Sequence, residues 1–386
     1  MEKGHIDWYI LLSVVGLMLF SIAFVYSASA SVAEARYAHS EVLFINHTIR
    51  VLIGLIILLV FAKLDYHKLE KATFPVMLFS ILLLILVYFI STPVNNAYRW
   101  INIGPFSFQP SEFAKFALVL HFACIISQRE EVIKDFKFGF LPLMIWTIVI
   151  IGLIALQPNF STAGVIFFIA ISIMFVGNVN LIHLISFSFA SLTVIIFYGL
   201  SAPYRMQRIL SFFGDTNVSE NVQYQVNQAI IAFGNGGLFG VGPGQSRQSH
   251  LFLPESYGDF IFSIIGEEYG FVGALIIIAA FIIIFWRGFK IIKKAPDLFG
   301  YLLSAGIILT FAFYMVVSIA VNCGLLPATG LPLPFISYGG TAVFFYSAAM
   351  GILLNISAHA NVFPRKNTLT LNEKKDITFS QPELLQ

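Results

Sequence analysis

Long apolar runs separated by short polar connections dominate this chain. A helix needs about 20 apolar residues to cross roughly 30 Å of hydrocarbon. By this criterion the pattern predicts ten spans, at residues 8–30, 44–63, 73–91, 111–128, 139–156, 161–178, 181–200, 259–286, 299–322 and 341–362. The sequence therefore predicts an all-α polytopic membrane protein.

The composition agrees with this pattern and excludes other classes. The chain has 386 residues, of which 58% are hydrophobic and 11% charged, and its mean hydropathy is +0.86. A net charge of +2 provides no strongly basic surface, so nucleic acid is not an expected partner. The first apolar run, residues 8–25, is longer than a signal-peptide core, and we expect it to be an uncleaved span.

The basic residues orient the spans. Loops retained in the cytoplasm are enriched in Lys and Arg, and with the N-terminus inside most of the 22 basic residues fall on that side. This predicts cytoplasmic termini and two outward connections, residues 92–110 and the large loop 201–258 between spans seven and eight. We expect a short amphipathic helix at 221–233 within that loop. Residues 1–363 form the predicted membrane domain, and 364–386 a disordered cytoplasmic tail.

Three carboxylates lie where the large outer loop meets the eighth span. Intramembrane acids usually have a function. Helical geometry places Glu267 about 12 Å along the axis from Asp259, which is too far for the two to act as one pair. Asp259 is therefore the candidate catalytic residue, with helix capping as the alternative. Glu267 and Glu268 are expected to be structural acids held by buried hydrogen bonds.

A second group of charges opens the fourth span. Glu112 and Lys115 are three residues apart and share one helical face, so they can pair. Two interpretations remain open: a salt bridge that lets both charges enter the membrane, or a Lys115 that Glu112 positions to meet an anionic group in a cavity.

Two connections rich in glycine complete the candidate chemistry. Residues 326–340 carry three prolines and three glycines at membrane depth, so this segment must line a cavity or be buried in protein. Its polar members, Thr329, Ser337 and Tyr338, are candidates for holding substrate hydroxyls or phosphates. The cluster at 240–244 contains Pro243, which removes a backbone donor, and a tight outer loop is a better interpretation than a nucleotide site.

These segments together resemble the SEDS family of bacterial cell-wall polymerases, which includes FtsW, RodA and SpoVE. The resemblance runs in the right order from about residue 8 to 362. It rests on Asn96-Ala97-Tyr98-Arg99-Trp100-Ile101, Phe108-Gln109-Pro110-Ser111-Glu112, Gln157-Pro158, Gly240-Val241-Gly242 with Ser246-Arg247-Gln248, Leu253-Pro254-Glu255, Asp259-Phe260-Ile261-Phe262 with Gly266-Glu267-Glu268, and Gly330 to Gly340.

The chain also departs from the family pattern. Tyr257 and Gly258 precede Asp259 where relatives usually carry His-Thr, so no supporting role is expected for these two residues. Asn159 stands where relatives often have Asp, which argues against an acid function at that position.

The resemblance implies a peptidoglycan glycosyltransferase that polymerises lipid II at the outer face of the bacterial cytoplasmic membrane. It implies a class B penicillin-binding protein as partner. The glycine-rich loop followed by Ser-Arg-Gln is more similar to division-type than to elongation-type members, which favours a septal role with other divisome proteins.

The resemblance also assigns roles to residues. Asp259 matches the family's essential aspartate and is the candidate base. Arg99, Glu112 and Lys115 match positions around the family's cavity. The candidates for binding the departing pyrophosphate are Arg99, Lys115, Arg205 and Arg208, with a divalent cation, Mg²⁺ or Mn²⁺, as a possible helper.

Other functions fit parts of the same pattern. A lipid II flippase would also have ten spans and embedded charges, but embedded charge and irregular backbone concentrate here on the outer side, and no inverted repeat is evident. An elongation-type polymerase and a scaffold that only recruits division partners are the remaining alternatives.

Overall fold

The computed structural model describes residues 4–91, 98–103, 106–200, 206, 220–253 and 256–360. Its elements are, in chain order, α1 (Trp8–Tyr37), α2 (Val42–Lys63), α3 (His67–Glu70), α4 (Thr73–Ile90), β1 (Ile101–Ile103), β2 (Phe106–Phe108), α5 (Pro110–Gln128), α6 (Leu141–Leu156), α7 (Phe160–Val176), α8 (Leu181–Leu200), α9 (Glu220–Gly236), α10 (Arg247–Leu251), α11 (Ile261–Lys294), α12 (Leu298–Asn322) and α13 (Ala342–His359). The predicted tail, 364–386, lies outside the described residues.

Each of the ten predicted spans coincides with one apolar helix, although α1 and α11 continue seven and eight residues beyond their predicted ends. Among the described residues, eight helices are long and apolar enough to cross a membrane, and one of these is α6 together with the π-helical turn Phe136–Phe140 that precedes it. The other two apolar segments, α7 and residues 181–197 of α8, are shorter. The prediction of an all-α polytopic membrane protein is confirmed, and a count of ten crossings requires that α7 and α8 also cross.

Helices α5, α12 and α13 form the centre of the bundle, because most of their surface is buried. α2 packs along α13, α1 packs on α2 and α11, and α12 packs on α5 and α11. The outer helices leave large apolar side chains exposed, such as Leu12, Ile56 and Phe89. This surface is the one that hydrocarbon would cover.

The two connections that the sequence predicts to face outward contain regular structure. β1 and β2 form an antiparallel hairpin in which Ile101 pairs with Phe108, an element that the sequence did not predict. The predicted amphipathic helix at 221–233 is confirmed as α9, which packs on α11. Both elements lie at the end of the bundle where α11 begins.

Helix α11 is interrupted at Gly270, whose φ of 68° and ψ of −166° are not helical. The break removes two hydrogen bonds of the helix, and a loop at 236–244 replaces them. The carbonyls of Glu267 and Glu268 accept from Val241 N and Gly242 N, each at 3.0 Å. On the other side of the break, the amides of residues 271 and 272 donate to the carbonyls of residues 237 and 238, at 2.9 and 3.2 Å.

Close backbone contact explains two glycines of this loop, Gly236 and Gly240, and we name the loop the clasp (residues 236–244). A Cβ on Gly240 would lie 2.1 Å from the Glu268 carbonyl oxygen, and one on Gly236 would lie 2.0 Å from that of Gly266. Gly240 also has a φ of +84°, which side chains disfavour. The tight outer loop that the sequence predicted therefore packs against a helix backbone.

A buried ion pair lies at the opposite end of the bundle. Asp7 caps α1 by accepting from the backbone N–H groups of Tyr9 and Ile10. Its second oxygen pairs with Arg287 Nη2 at 2.6 Å, and both side chains are buried. Arg287 follows the eighth predicted span, 259–286, and the structure places it inside α11, which continues to Lys294.

Candidate active site

Asp259 lies at the end of the bundle where α12 ends and α11 begins. Helix α11 starts at Ile261, and its N-cap position is Phe260, so Asp259 precedes the cap. Asn322, the last residue of α12, donates from Nδ2 to the Asp259 carbonyl at 2.8 Å and accepts at Oδ1 from Ser263 N at 3.0 Å. The Asn322 side chain thus ties α12 to the start of α11 and fixes the Asp259 backbone, while the Asp259 side chain is partly exposed.

The irregular segment 323–341 packs directly against the Asp259 carboxylate. A Cβ on Gly330 would lie 3.3 Å from Asp259 Oδ2, and the φ of Gly330 is +71°. Both the backbone conformation and the close approach therefore favour glycine at this position. In the adjacent residue, Thr329 Oγ1 is buried without a hydrogen-bond partner among the described residues. This segment thus places an unsatisfied hydroxyl one residue from the glycine that contacts Asp259.

Two tyrosines link the Asp259 turn to two arginines. The Tyr257 and Tyr338 rings meet edge to face with centroids 5.5 Å apart, and Tyr338 N donates to Tyr257 O at 2.9 Å. Arg50, which is buried, lies with Cζ 4.8 Å from the centroid of Tyr338. Arg36 Nη1 donates to the Tyr257 hydroxyl at 3.4 Å. The Tyr257 ring and hydroxyl thus connect the Asp259 turn to these groups, a contact that the sequence did not predict.

The sequence reasoning missed Arg36 and Arg50 as members of this group. Arg50 lies inside a predicted span, and a cation at that depth is itself a signal of function. Arg36 lies beyond the end of the first predicted span, residues 8–30, because α1 continues to Tyr37. The tertiary contact through Tyr257 and Tyr338 could not be seen in the sequence.

Ser337 has an internal role in the irregular segment. Its hydroxyl accepts from Leu333 N at 2.8 Å, and its own N–H donates to the Leu333 carbonyl at 3.0 Å. The side chain is buried. These bonds close a turn in the segment, and the substrate-binding role of Ser337 stays a prediction.

Glu112 and Lys115 form a buried ion pair near the start of α5. Lys115 Nζ lies 2.7 Å from Glu112 Oε2, and the two side chains are 0% and 3% exposed. The Tyr346 hydroxyl lies 3.3 Å from Nζ, the Tyr314 ring centroid lies 3.7 Å from Nζ, and the Tyr314 hydroxyl donates to Glu112 Oε1. Of the two interpretations, the geometry corresponds to the salt bridge within the protein, since Lys115 faces no open space.

Arg99 lies before the hairpin and reaches the corner between α6 and α7. Its Nη2 donates to the Pro158 carbonyl. Pro158 and Asn159 occupy the corner where the sequence departs from the family pattern, and Asn159 is the N-cap position of α7. Arg99 thus ties the region of the β1–β2 hairpin to the bundle. Arg205 and Arg208, the other predicted phosphate ligands, lie outside the described residues.

Glu267 and Glu268 hold the clasp and α10 against α11. Glu267 accepts from the Ser246 hydroxyl and, at 3.2 Å, from Asn235 Nδ2. Glu268 accepts from the Ser27 hydroxyl, which in turn accepts from Gly244 N at 3.0 Å. Both carboxylates are buried. Their hydrogen bonds are with protein groups of the outer connection and of α1.

The residues around Asp259 offer limited metal-binding capacity. Among the described residues, groups of three or more His, Cys, Asp or Glu ligands occur at Asp65, His67 and His359, at the other end of the bundle. Asp259 belongs to no such group of described residues and would contribute one carboxylate to a metal ion. Mg²⁺ commonly binds through one or two carboxylates together with substrate phosphates, so this arrangement fits a cation that a phosphate substrate would complete.

Two apolar cavities open on the sides of the bundle and do not contain the chemical groups. One, of about 320 Å³, lies between α2, α4, α5, α12 and α13, and the other, of about 520 Å³, lies between α6, α7 and α8. None of the predicted site residues lines either cavity. Their walls are almost entirely carbon, which suits hydrocarbon chains rather than catalysis.

The chain matches a known family over nearly its whole length. The family model FTSW_RODA_SPOVE, described as a cell cycle protein, matches residues 7–362. The chain therefore belongs to this family of polytopic membrane proteins.

Individual relatives and solved structures are similar over the same range. A Trichlorobacter lovleyi protein named probable peptidoglycan glycosyltransferase FtsW is 37% identical over 361 residues, covering 93% of this chain and 94% of the relative. Stage V sporulation protein E of Bacillus subtilis is 35% identical over 355 residues, covering 91% and 97%.

A chain solved in a peptidoglycan synthase complex aligns with a TM-score of 0.76 at 26% identity, covering 92% of this chain and 99% of that chain. The crystal structure of Thermus thermophilus RodA aligns with a TM-score of 0.68 at 25% identity, covering 92% and 98%.

Proposed function

We propose that this chain is a peptidoglycan glycosyltransferase that polymerises lipid II, with Asp259 as the catalytic base. The observation that carries the proposal is the Asp259 carboxylate itself. It is partly exposed, its backbone is fixed by Asn322, and Gly330 leaves space beside it. The named activity of the Trichlorobacter relative supports the same reaction class.

The reaction requires a base for the acceptor sugar hydroxyl. A carboxylate within hydrogen-bond reach of that hydroxyl takes its proton as the new glycosidic bond forms. The hydroxyl oxygen attacks the anomeric carbon of the donor sugar, and the bond from that carbon to the pyrophosphate oxygen breaks. Thr329, the neighbour of Gly330 in the chain, has a hydroxyl without a hydrogen-bond partner among the described residues and is a candidate for orienting a sugar.

The departing pyrophosphate requires positive charge. Arg36 and Arg50 approach the site through Tyr257 and Tyr338 and are the best-placed cations among the described residues. Guanidinium groups suit phosphate because they donate two parallel hydrogen bonds. A bound divalent cation would add charge stabilisation, with Asp259 as its protein ligand.

The apolar cavities and the partner fit the same proposal. Lipid II carries a long hydrocarbon chain, which the carbon-lined cavities on the sides of the bundle can accommodate. The similarity to a chain of a peptidoglycan synthase complex supports a penicillin-binding protein as partner. We place the activity at the outer face of the bacterial cytoplasmic membrane, and the FtsW-named relatives favour the division septum and other divisome proteins.

The test is polymerisation by purified protein. The full chain is combined with its penicillin-binding partner and lipid II, and glycan strands are separated by length. Asp259→Asn and Asp259→Ala should abolish strand formation, because neither side chain can accept the proton. Glu34→Ala is the control. It changes an exposed acid near the C-terminal end of α1, which lies at the same end of the bundle as Asp259, and should keep full activity. Movement of lipid II across vesicles without polymerisation would favour the flippase.

A further inference from the structure

The ends of several helices gather two histidines and two carboxylates at the end of the bundle opposite Asp259. Asp65 follows α2, His67 opens α3, His359 ends α13, and Asp297 is the N-cap of α12. One ligand atom from each of Asp65, His67 and His359 lies within 4.8 Å of the other two. The proposed glycosyl transfer does not use this cluster.

The hydrogen bond of His359 determines which of its nitrogens is available. Nδ1 lies 2.9 Å from the Asn355 carbonyl oxygen, which can only accept, so Nδ1 carries the proton. Nε2 then carries a lone pair and lies 3.9 Å from Asp65 Oδ1, beyond hydrogen-bond distance. A histidine that donates one N–H to a carbonyl and presents the other nitrogen is the usual arrangement of a metal ligand.

Two of the three separations between these atoms suit a common ion, and the third, between His67 and His359, is at most 4.8 Å. Two ligand atoms that are each about 2.0–2.1 Å from a metal lie at most about 4.2 Å apart. The 3.9 Å between His359 and Asp65 meets this limit, as does the 2.8 Å between His67 Nδ1 and Asp65 Oδ1. The His67 side chain is 47% exposed and can turn slightly to complete the set.

Surrounding groups hold the ligands in place. Asn355 donates to the Ala62 carbonyl at 2.9 Å and accepts from Tyr66 N at 3.1 Å, which fixes the end of α2 against α13. The Tyr66 hydroxyl donates to Asp297 Oδ2, and the same oxygen lies 3.2 Å from His67 Nε2. Tyr66 is fully buried. The cluster is therefore preorganised by helix packing.

We propose that Asp65, His67 and His359 bind a first-row divalent transition metal of the Zn²⁺ type, with Asp297 as an additional or supporting ligand. Mixed imidazole and carboxylate ligands favour such ions over Mg²⁺ or Ca²⁺, which prefer oxygen alone. Bound metal would tie the ends of α2 and α13 together beside the start of α12.

The test uses the full chain, purified through a tag without histidine and stripped with a chelator. Zn²⁺ is titrated calorimetrically against wild type, His67→Gln, His359→Gln and the control His39→Gln, which changes an exposed histidine between α1 and α2. We expect one site in wild type and the control, and at least about ten-fold weaker binding in the two cluster variants. Equal affinities in all four proteins, or no saturable binding in wild type, would overturn the proposal.

A second measurement does not depend on the folding of the variants. Cu²⁺ added to wild-type protein below one equivalent should show magnetic coupling to two imidazole rings by electron paramagnetic resonance. Coupling to one ring or to none would contradict the site.

Discussion

At the scale of single residues, the candidate base depends on Gly330 and on the side-chain amide of Asn322 as well as on Asp259 itself. Asp259 could be chosen from the sequence because few carboxylates lie at membrane depth. Its contacts with Gly330 and Asn322 could not, because those residues are more than 60 positions away in the chain. The cations Arg36 and Arg50 were missed for the same reason.

Gly330→Ala should reduce polymerisation by more than its loss of folding stability accounts for. The added Cβ would lie 3.3 Å from Asp259 Oδ2, and the left-handed backbone costs about 1–2 kcal/mol for a side chain. We expect at least a ten-fold loss of strand formation in the lipid II assay.

Gly324→Ala is the matched control for Gly330→Ala. Gly324 has a similar φ of +70°, and a Cβ there would meet Ile230 rather than Asp259. It should lose stability while keeping most of its activity per folded molecule. Equal loss of activity in the two variants would show that backbone strain alone is responsible.

Breaking the buried pair of Glu112 and Lys115 should destabilise the bundle strongly. Lys115→Met leaves Glu112 as an uncompensated buried charge, at a cost of about 3–5 kcal/mol. The double variant Glu112→Gln with Lys115→Met should recover much of that loss, because neither charge remains.

The measurement for the Glu112 and Lys115 variants is the free energy of unfolding in detergent. Lys134→Met, at an exposed lysine, serves as control and should change little. A Lys115→Met protein of wild-type stability, or a double variant no better than the single one, would contradict the structural role of the pair.

At the scale of elements, the helices were predictable and their interruptions were not. Apolar length alone located the membrane helices, and amphipathic periodicity located α9. The hairpin of β1 and β2 is only three residues per strand, and its pairing depends on packing against the irregular segment, where a Cβ on Gly340 would lie 3.0 Å from Ser107 O. The break at Gly270 exists because the clasp supplies replacement hydrogen bonds, a tertiary effect.

Gly240→Ala should disrupt the clasp. The new Cβ would overlap the Glu268 carbonyl oxygen, and the φ of +84° adds about 1–2 kcal/mol. We expect a clear fall in thermal stability and faster amide exchange in residues 267–272. Gly234→Ala, inside α9 with open space around its Cβ position, should be neutral or slightly stabilising. Amide exchange at residues 267–272 as slow in Gly240→Ala as in the wild type would contradict the structural role of the clasp.

At the scale of the whole molecule, the two ends of the bundle hold their charged residues in different environments. The Asp259 end carries a partly exposed acid and cations near it. The opposite end carries the buried pair of Asp7 and Arg287 and the histidine cluster. The sequence predicted only the first end, because the partners of the second are separated by most of the chain.

Substitutions of Asp7 test how much the end of the bundle opposite Asp259 contributes to the free energy of unfolding. Asp7→Asn retains an amide oxygen for capping α1 but removes the negative charge that faces the buried Arg287, and we expect a loss of about 3–5 kcal/mol in the free energy of unfolding. Asp7→Ala should cost about 1 kcal/mol more, because the cap is also lost. Asp135→Asn, at an exposed capping aspartate, should cost less than about 0.5 kcal/mol. Equal effects of the two asparagine variants would refute a buried ion pair.

The most direct test of the central claim is glycan strand formation from lipid II by the purified full chain with its penicillin-binding partner. The wild type and Glu34→Ala should produce strands, while Asp259→Asn, folded with an unchanged thermal midpoint, should produce none above background. Full polymerisation by folded Asp259→Asn would contradict the assignment of Asp259 as the catalytic base.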